Sequence, residues 1–306
     1  MFELLESCLR LSTPLLFAAI GGFFCERSGV ATICLEGVML TSAWSAAVVT
    51  YYTQNPWLGT LAGLLTGGFT MSLHALLVIF ARADQIVSGV AVNLLAAGVT
   101  PFLNKIFFSS PTNSPAIAIE HRFHAISIPI LSEIPLVGRI FFSQLPLVYL
   151  ALILPFAAHF IAYKTKWGLR LLAAGDAPEA LQSLGGDVKR TRFIFLFIGG
   201  LLCSLGGTFL SISHSSQFTR DMTAGRGFIA LAALIFGKWR PLPTLFACLF
   251  FGFADSLQIR LQSAEWLTGN FPVQFIQATP YLITLLVLVG FMGKSRPPLS
   301  IGKEFK

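Results

Sequence analysis

KTKWGLRLLAAGDAPEALQSLGGDVKRTR, residues 164–192, runs directly into FIFLFIGGLLCSLGGTFLSIS, residues 193–213. The second string carries no charge and is long enough, as an α-helix, to cross about 30 Å of hydrocarbon. The first gathers Lys164, Lys166 and Arg170 at one end and Lys189, Arg190 and Arg192 at the other. A basic loop feeding an uncharged run of this length is the pattern of a helical membrane protein with its positive loop on one side.

Similar runs recur at residues 8–24, 31–50, 57–81, 86–108, 145–163, 242–258 and 273–292. Over all 306 residues, 55% are hydrophobic and 11% charged, with a mean hydropathy of +0.74. The runs are continuously apolar and do not alternate every second residue, which argues against a transmembrane β-barrel. Backbone polar groups in lipid must be satisfied within the segment, so the expected fold is all-α, a polytopic transmembrane helical bundle. The whole of 1–306 reads as a single transmembrane domain.

The loop at 164–192 and the tail carrying Lys294, Arg296, Lys303 and Lys306 are the most basic segments, and both are expected on the cytoplasmic side. Counting back from the loop places the N-terminus outside. Counting forward reaches a cytoplasmic tail only if the short apolar run 227–237 also crosses, as a broken or tilted helix. Nine segments are expected on that count. The external segment 109–144, with ISIPILSEIPLVGRIFF, is too irregular for a span and too apolar for a solvated linker; it is expected to fold over the outer surface or the mouth of a pathway.

The net charge of +7 sits mainly at the ends of apolar runs, so it reports topology and not a nucleic-acid ligand or a polybasic lipid-binding surface; membrane lipid around the spans is an expected partner and nucleic acid is not. Acidic Glu3 and Glu6 stand where a cleaved leader would be basic, and no cleavable signal peptide is expected. Cys8, Cys25, Cys34, Cys203 and Cys248 have no metal-type spacing and read as small apolar side chains, with no disulfide and no metal. The chain lacks a phosphate-binding loop: Gly293-Lys294-Ser295 comes nearest, but Leu288 stands where the first glycine is required. No catalytic motif is present, so no enzymatic activity and no cofactor of its own are expected.

Inside the basic loop, Asp176 reads as an N-cap, Pro178 as a first-turn residue, Glu179 as the partner that closes a capping box, and Gly185 as the terminator of a short helix. Such a helix is either a connector or a docking element. Glu36 is an acid inside the second run, which is costly in lipid and therefore a candidate for the pathway. It can equally be a structural acid bonded to backbone groups or paired with Arg27. Asp255 admits the same two readings, with Arg260 near it. Asn93, His74, Gln85 and Gln258 can bond between helices or to a polar solute. The pairs Gly21-Gly22, Gly67-Gly68, Gly199-Gly200 and Gly206-Gly207 allow close helix approach, and Gly29 and Gly227 can break helices beside a pathway. Ser28–Ile33 and Arg226–Leu231 each place Gly after a polar residue ahead of an apolar run, a trace that an internal duplication would leave.

Glu179-Ala180-Leu181-Gln182-Ser183-Leu184-Gly185 resembles the E-A-A-x-x-x-G coupling motif of ABC importer permeases, with Leu181 in place of the second alanine. CERSGVATICLEGVML, ADQIVSGVAVNLLAAGVTPFL, IPLVGRIFF and TAGRGFIALAALIFGKWRP extend the likeness along almost the whole chain. Together they resemble the permease subunits of the branched-chain amino acid and simple-sugar group, and within it the nucleoside-type permeases that work with basic-membrane-protein-like lipoproteins.

The resemblance implies a bacterial inner-membrane permease domain that pairs with a second homologous permease subunit, often as a heterodimer. It also implies a cytoplasmic ABC ATPase that uses the ATP, and an extracytoplasmic substrate-binding lipoprotein. Asp176, Ala177, Glu179, Ala180, Leu181, Leu184 and Gly185 would form the coupling helix, with Ala177, Leu181 and Leu184 as the apolar face entering the ATPase. Import of nucleosides is the first expectation, ahead of riboflavin and simple sugars. An ion-coupled secondary transporter is the alternative from another class, with Glu36 and Asp255 as its only tempting acids.

Overall fold

The computed structural model describes residues 2–127, 142–262 and 296–303. Six of its helices are long and apolar enough to cross a membrane. They are α1 (Phe2–Arg27), α3 (Pro56–Ile79), α4 (Gln85–Phe108), α5 (Pro146–Lys164), α8 (Val188–Thr208, continued as a π-helix over Phe209–His214) and α10 (Pro241–Gln262). Between them stand α2 (Leu35–Thr53), α6 (Lys166–Asp176), α7 (Pro178–Ser183) and α9 (Arg226–Phe236).

The expected run at 31–50 is a helix only from Leu35, and its serines, threonines, tyrosines and Glu36 keep it outside the six. The run at 227–237 forms the eleven-residue α9, and the run at 273–292 lies outside the described residues. Nine segments are therefore not established: the described residues hold six apolar spans, and of the other expected segments among them α2 is more polar and α9 shorter.

Helix α8 is the axis, packed on α1, α2 and α3. Its glycines set the distance. A Cβ on Gly21 would lie 2.5 Å from the Gly199 oxygen, and one on Gly207 would lie 2.0 Å from the Met39 oxygen. Backbones in contact at these points are how helices associate in lipid, where no hydrophobic force drives them together. Around this axis Leu15, Leu16, Phe17, Met39, Met71, Leu196 and Phe209 are buried. Outward-facing Leu65, Phe69, Leu94, Phe102 and Phe160 are exposed, as lipid-facing side chains are.

Two opposite ends follow from the connections. One carries α6, α7 and the tail 296–303. The other carries the α2–α3 turn, where Asn55 caps α3 through Trp57 and Leu58 N–H and Pro56 takes the first helical position. At that second end the segment after α4 pairs with the segment before α9: Ser114 N–H donates to the Phe218 oxygen, Ile117 N–H to the Ser216 oxygen, and Arg220 N–H to the Thr112 oxygen. A two-residue hairpin, β1 (Ile126–Ser127) with β2 (Ser143–Gln144), leads into α5. Part of the expected external segment thus lies over the strand that leads to α9, and residues 128–141 lie outside the described residues.

Candidate functional site

Helices α2 and α9 begin side by side in the interior and run in opposite directions. The chain leaves α1 at Arg27 and does not turn at once into α2. Ser28 is held at the start of α8 by Arg192, whose Nε donates to the Ser28 oxygen at 3.1 Å. Leu35 is held farther along, where the Cys203 thiol donates to its oxygen at 3.4 Å. Between these two anchors the chain climbs about 16 Å along α8, at 1.5 Å per helical residue.

Ser28 and Gly29 N–H still bond back to the end of α1 and the Cys34 oxygen accepts from Val38 N–H; between them the chain is not helical, and neighbouring side chains supply partners. Gln85 Oε1 accepts from Ala31 N–H at 2.7 Å, and His74 Nε2 lies 3.2 Å from the Ala31 oxygen. Asn93 Nδ2 donates to the Ile33 oxygen at 3.0 Å, and its Oδ1 accepts from Gly37 N–H at 2.8 Å. This is irregular backbone at membrane depth, satisfied by the protein around it.

At the top of the climb sits Glu36. One carboxylate oxygen accepts from Gly225 N–H at 2.8 Å and the other from Gly227 N–H at 2.7 Å. These amides lie at the start of α9, where N–H groups have no intrahelical partner and a negative charge is favoured. Gly225 has φ +81, the left-handed cap, and Gly227 touches Glu36 so closely that a Cβ would lie 2.5 Å from the Glu36 nitrogen. From this junction α9 descends toward the end that carries α6 and α7, where the Trp239 indole N–H donates to Glu26. The other Glu26 oxygen accepts from Thr32 N–H at 3.5 Å.

The structure therefore brings Glu36, Asn93 and Gly227 together, with both Glu36 oxygens bonded to backbone. Asp255 on α10 is half-buried and lies within electrostatic range of Arg226, the first residue of α9. Gly29 lies apart from Glu36, Asn93 and Gly227. It lies at the foot of the climb with φ +94, where a Cβ would be 2.4 Å from Ser300 Oγ and 2.8 Å from Arg192 Nη2. The similar strings 28–33 and 226–231 also diverge, since the first is not helical and the second opens α9.

At the loop-bearing end, α6 and α7 stand where one short helix was expected. Asp176 is not an N-cap: it is the last residue of α6, and its carboxylate turns to Arg27 at 3.4 Å and to Leu299 N–H at 3.4 Å. Ala177 takes the N-cap position of α7 without a side-chain bond, so no capping box closes, and Pro178 at the first turn starts the helix. Leu181 is not on the outward face. At 7% exposure it packs on Ala174 and Val188 and anchors α7 to the bundle. Ala177, Glu179 and Ala180 are exposed, Leu184 is 86% exposed, and Gly185 ends the turn with φ +80 as expected.

Arg192 ties this loop to the foot of the climb. Its Nη2 donates to the Ala174 oxygen at 3.2 Å and to Ser300 Oγ at 3.1 Å, while its Nε holds Ser28. Ser300 N–H donates to the Gly175 oxygen at 2.9 Å, and Gly175 is so close that a Cβ would lie 2.2 Å from the Arg27 oxygen. Sequence reading placed Arg192 among the loop-end charges and passed over Glu26, Trp239 and Ser300. The available signal was position: Arg192 and Glu26 each abut an uncharged run, where a buried charge needs fixed partners.

Residues 4–292 match the family described as branched-chain amino acid transport system / permease component. The guanosine ABC transporter permease protein NupQ of Bacillus subtilis strain 168 is 39% identical, over 99% of this chain and 96% of its own length. The nucleoside ABC transporter permease protein NupC of Lactococcus lactis subsp. cremoris MG1363 is 36% identical over the same shares. The L-arabinose transport system permease protein AraH of Escherichia coli K12 is 24% identical over 72% of this chain and 61% of its own length. No solved structure matches the chain.

Proposed function

This chain belongs to the branched-chain amino acid transport system / permease component family, and from that membership we propose that it is a pore-forming subunit of an ATP-driven importer of nucleosides. The observation that carries the substrate class is the near-full-length similarity to a guanosine permease and a nucleoside permease. ATP hydrolysis belongs to a partner ATPase. A second permease subunit completes the pore, and an external lipoprotein delivers the solute.

On this reading the loop-bearing end is cytoplasmic, the N-terminus lies outside, and the membrane is the bacterial inner membrane. Helix α7 is the coupling element. Ala177, Glu179, Ala180 and Leu184 face outward to meet the ATPase, while Leu181 fixes the helix to the bundle. Movement of α7 passes through α6, Arg192 and Gly29 to the foot of the climb, and along it to the Glu36 junction. Opposed helix starts inside a membrane are where transporters build solute sites, because both present backbone donors. Glu36 occupies those donors and holds α2 against α9. Its separation from Gly225 and Gly227 would free them to meet a hydroxyl-rich solute.

An ion-coupling role for Glu36 is disfavoured by the same geometry, since both of its oxygens are engaged by backbone N–H groups. The test is uptake of radiolabelled guanosine in cells deleted for this chain and complemented with it. Restored uptake that disappears when the partner ATPase is inactivated supports the proposal. Restored uptake that persists without the ATPase refutes it.

A further inference from the structure

A small cavity of about 120 Å³ opens at the loop-bearing end, away from the Glu36 junction. It lies between the end of α3, the turn to α4, the start of α8 and the tail, and its charged lining is Arg82, Asp84, Lys189, Arg192 and Lys303. Four cations therefore face one acid. That acid is engaged, because Asp84 Oδ1 caps α4 by accepting from Ile86 and Val87 N–H at 2.9 Å each.

Arg192 is buried and bonded to Ser28, Ala174 and Ser300. The side chains of Arg82, Lys189 and Lys303 make no hydrogen bond or ion pair among the described residues. Their placement is nonetheless fixed by backbone. Arg82 sits in the turn with φ +56, a left-handed conformation uncommon for a residue with a side chain. Lys303 is held by Gln85, whose Nε2 donates to the Lys303 oxygen at 3.4 Å while its Oε1 accepts from Gly302 N–H at 3.1 Å.

A general excess of basic residues at a membrane face explains cations spread along the loops. It does not explain four of them around one cavity where, among the described residues, Asp84 is the one lining carboxylate and is engaged as a helix cap. We propose that this cavity is an anion site for a phosphate group, supplied by the headgroup of an anionic phospholipid at the membrane surface. Phosphate offers several acceptor oxygens to converging Lys and Arg donors, and basic pockets between transmembrane helices are suited to such headgroups. A bound phosphate would tie the α3–α4 turn to the start of α8 and to the tail, next to the Arg192 contacts that anchor α6. The site stands independently of which solute the permease carries.

Native mass spectrometry of the full chain, titrated with dioleoylphosphatidylglycerol and separately with inorganic phosphate, tests this. The wild type binds one phosphatidylglycerol with an affinity that falls about tenfold or more in the Arg82→Gln/Lys303→Gln variant, as expected for two basic residues at a charged surface. Lys166→Gln/Arg170→Gln, on the same end but outside the cavity, leaves the affinity unchanged. Lys189→Gln lowers it in the same direction and serves if the double variant does not fold. Binding of inorganic phosphate alone, lost in the same cavity variants, keeps the anion site and assigns it to free phosphate. Equal loss in the two double variants, or no dependence of either anion on Arg82, Lys189 and Lys303, overturns the proposal.

Discussion

Glu36 is the residue on which the interior turns, because one carboxylate satisfies two first-turn amides of α9 from the first turn of α2. Glu36→Gln keeps one acceptor oxygen and loses the charge, so one amide is left without its partner. The expected cost is about 1–3 kcal/mol, seen as a lower thermal unfolding midpoint in detergent and a reduced guanosine uptake rate in correctly inserted protein. Wild-type values of both would contradict the bridging role. At Gly227 the argument is steric. A methyl group there would lie 2.5 Å from the Glu36 backbone nitrogen, so Gly227→Ala must push α2 and α9 apart. Its transport should fall further than that of Glu36→Gln, measured at equal protein in the membrane. Glu36 and Gly227 were each visible in the sequence as an intramembrane acid and a helix-breaking glycine. Their pairing was not, because it joins positions far apart in the chain through backbone amides, which no residue type advertises.

At the scale of elements, the short helix α7 divides its residues between two tasks. Leu181 packs inward, and Glu179 and Leu184 face out. Glu179→Arg should therefore insert and fold normally but lose co-purification of the ATPase and abolish uptake. Retained ATPase binding with full uptake would remove α7 from the coupling role. Leu181→Asp should act differently, by loosening α7 from Ala174 and Val188, and should be read as increased protease sensitivity of the loop. The basic flanks, Pro178 and Gly185 made this helix legible from the sequence. The boundary at Asp176 was misread because an acid before Ala-Pro fits an N-cap locally, whereas Arg27 and Leu299 claim its carboxylate from elsewhere in the fold. Likewise α6 was hidden. Its apolar residues, Trp167, Leu169, Leu171, Leu172, Ala173 and Ala174, point to more than one face, and only the contact of Gly168, Leu171, Ala174 and Gly175 with the bundle reveals the face that packs.

Across the whole molecule, α8 is the shared surface on which α1, α2 and α3 pack. It carries Arg192 at the loop-bearing end, Cys203 at the level of Leu35, and Gly206-Gly207 against Pro14 and Met39 beyond it. The spans along this axis were plain in the sequence, since uncharged runs of bilayer length have few alternatives. The climb from Ser28 to Leu35 was not, because its residues are as apolar as the helix they precede and its hydrogen-bond partners are side chains spread over α1, α3, α4 and α8. Gly21→Val should collapse the α1–α8 contact, where even a Cβ meets the Gly199 oxygen at 2.5 Å, and greatly reduce the amount of folded protein recovered from membranes.

The central claim is that this fold is the pore subunit of an ATP-driven nucleoside importer, and it is tested most directly in proteoliposomes. The chain is purified with the proposed ATPase and second permease and supplied with the proposed binding protein outside, ATP inside and radiolabelled guanosine outside. Guanosine should accumulate only when ATP and binding protein are both present, and Glu179→Arg should abolish the accumulation. Accumulation driven by an ion gradient without ATP, or undiminished by Glu179→Arg, would contradict the account.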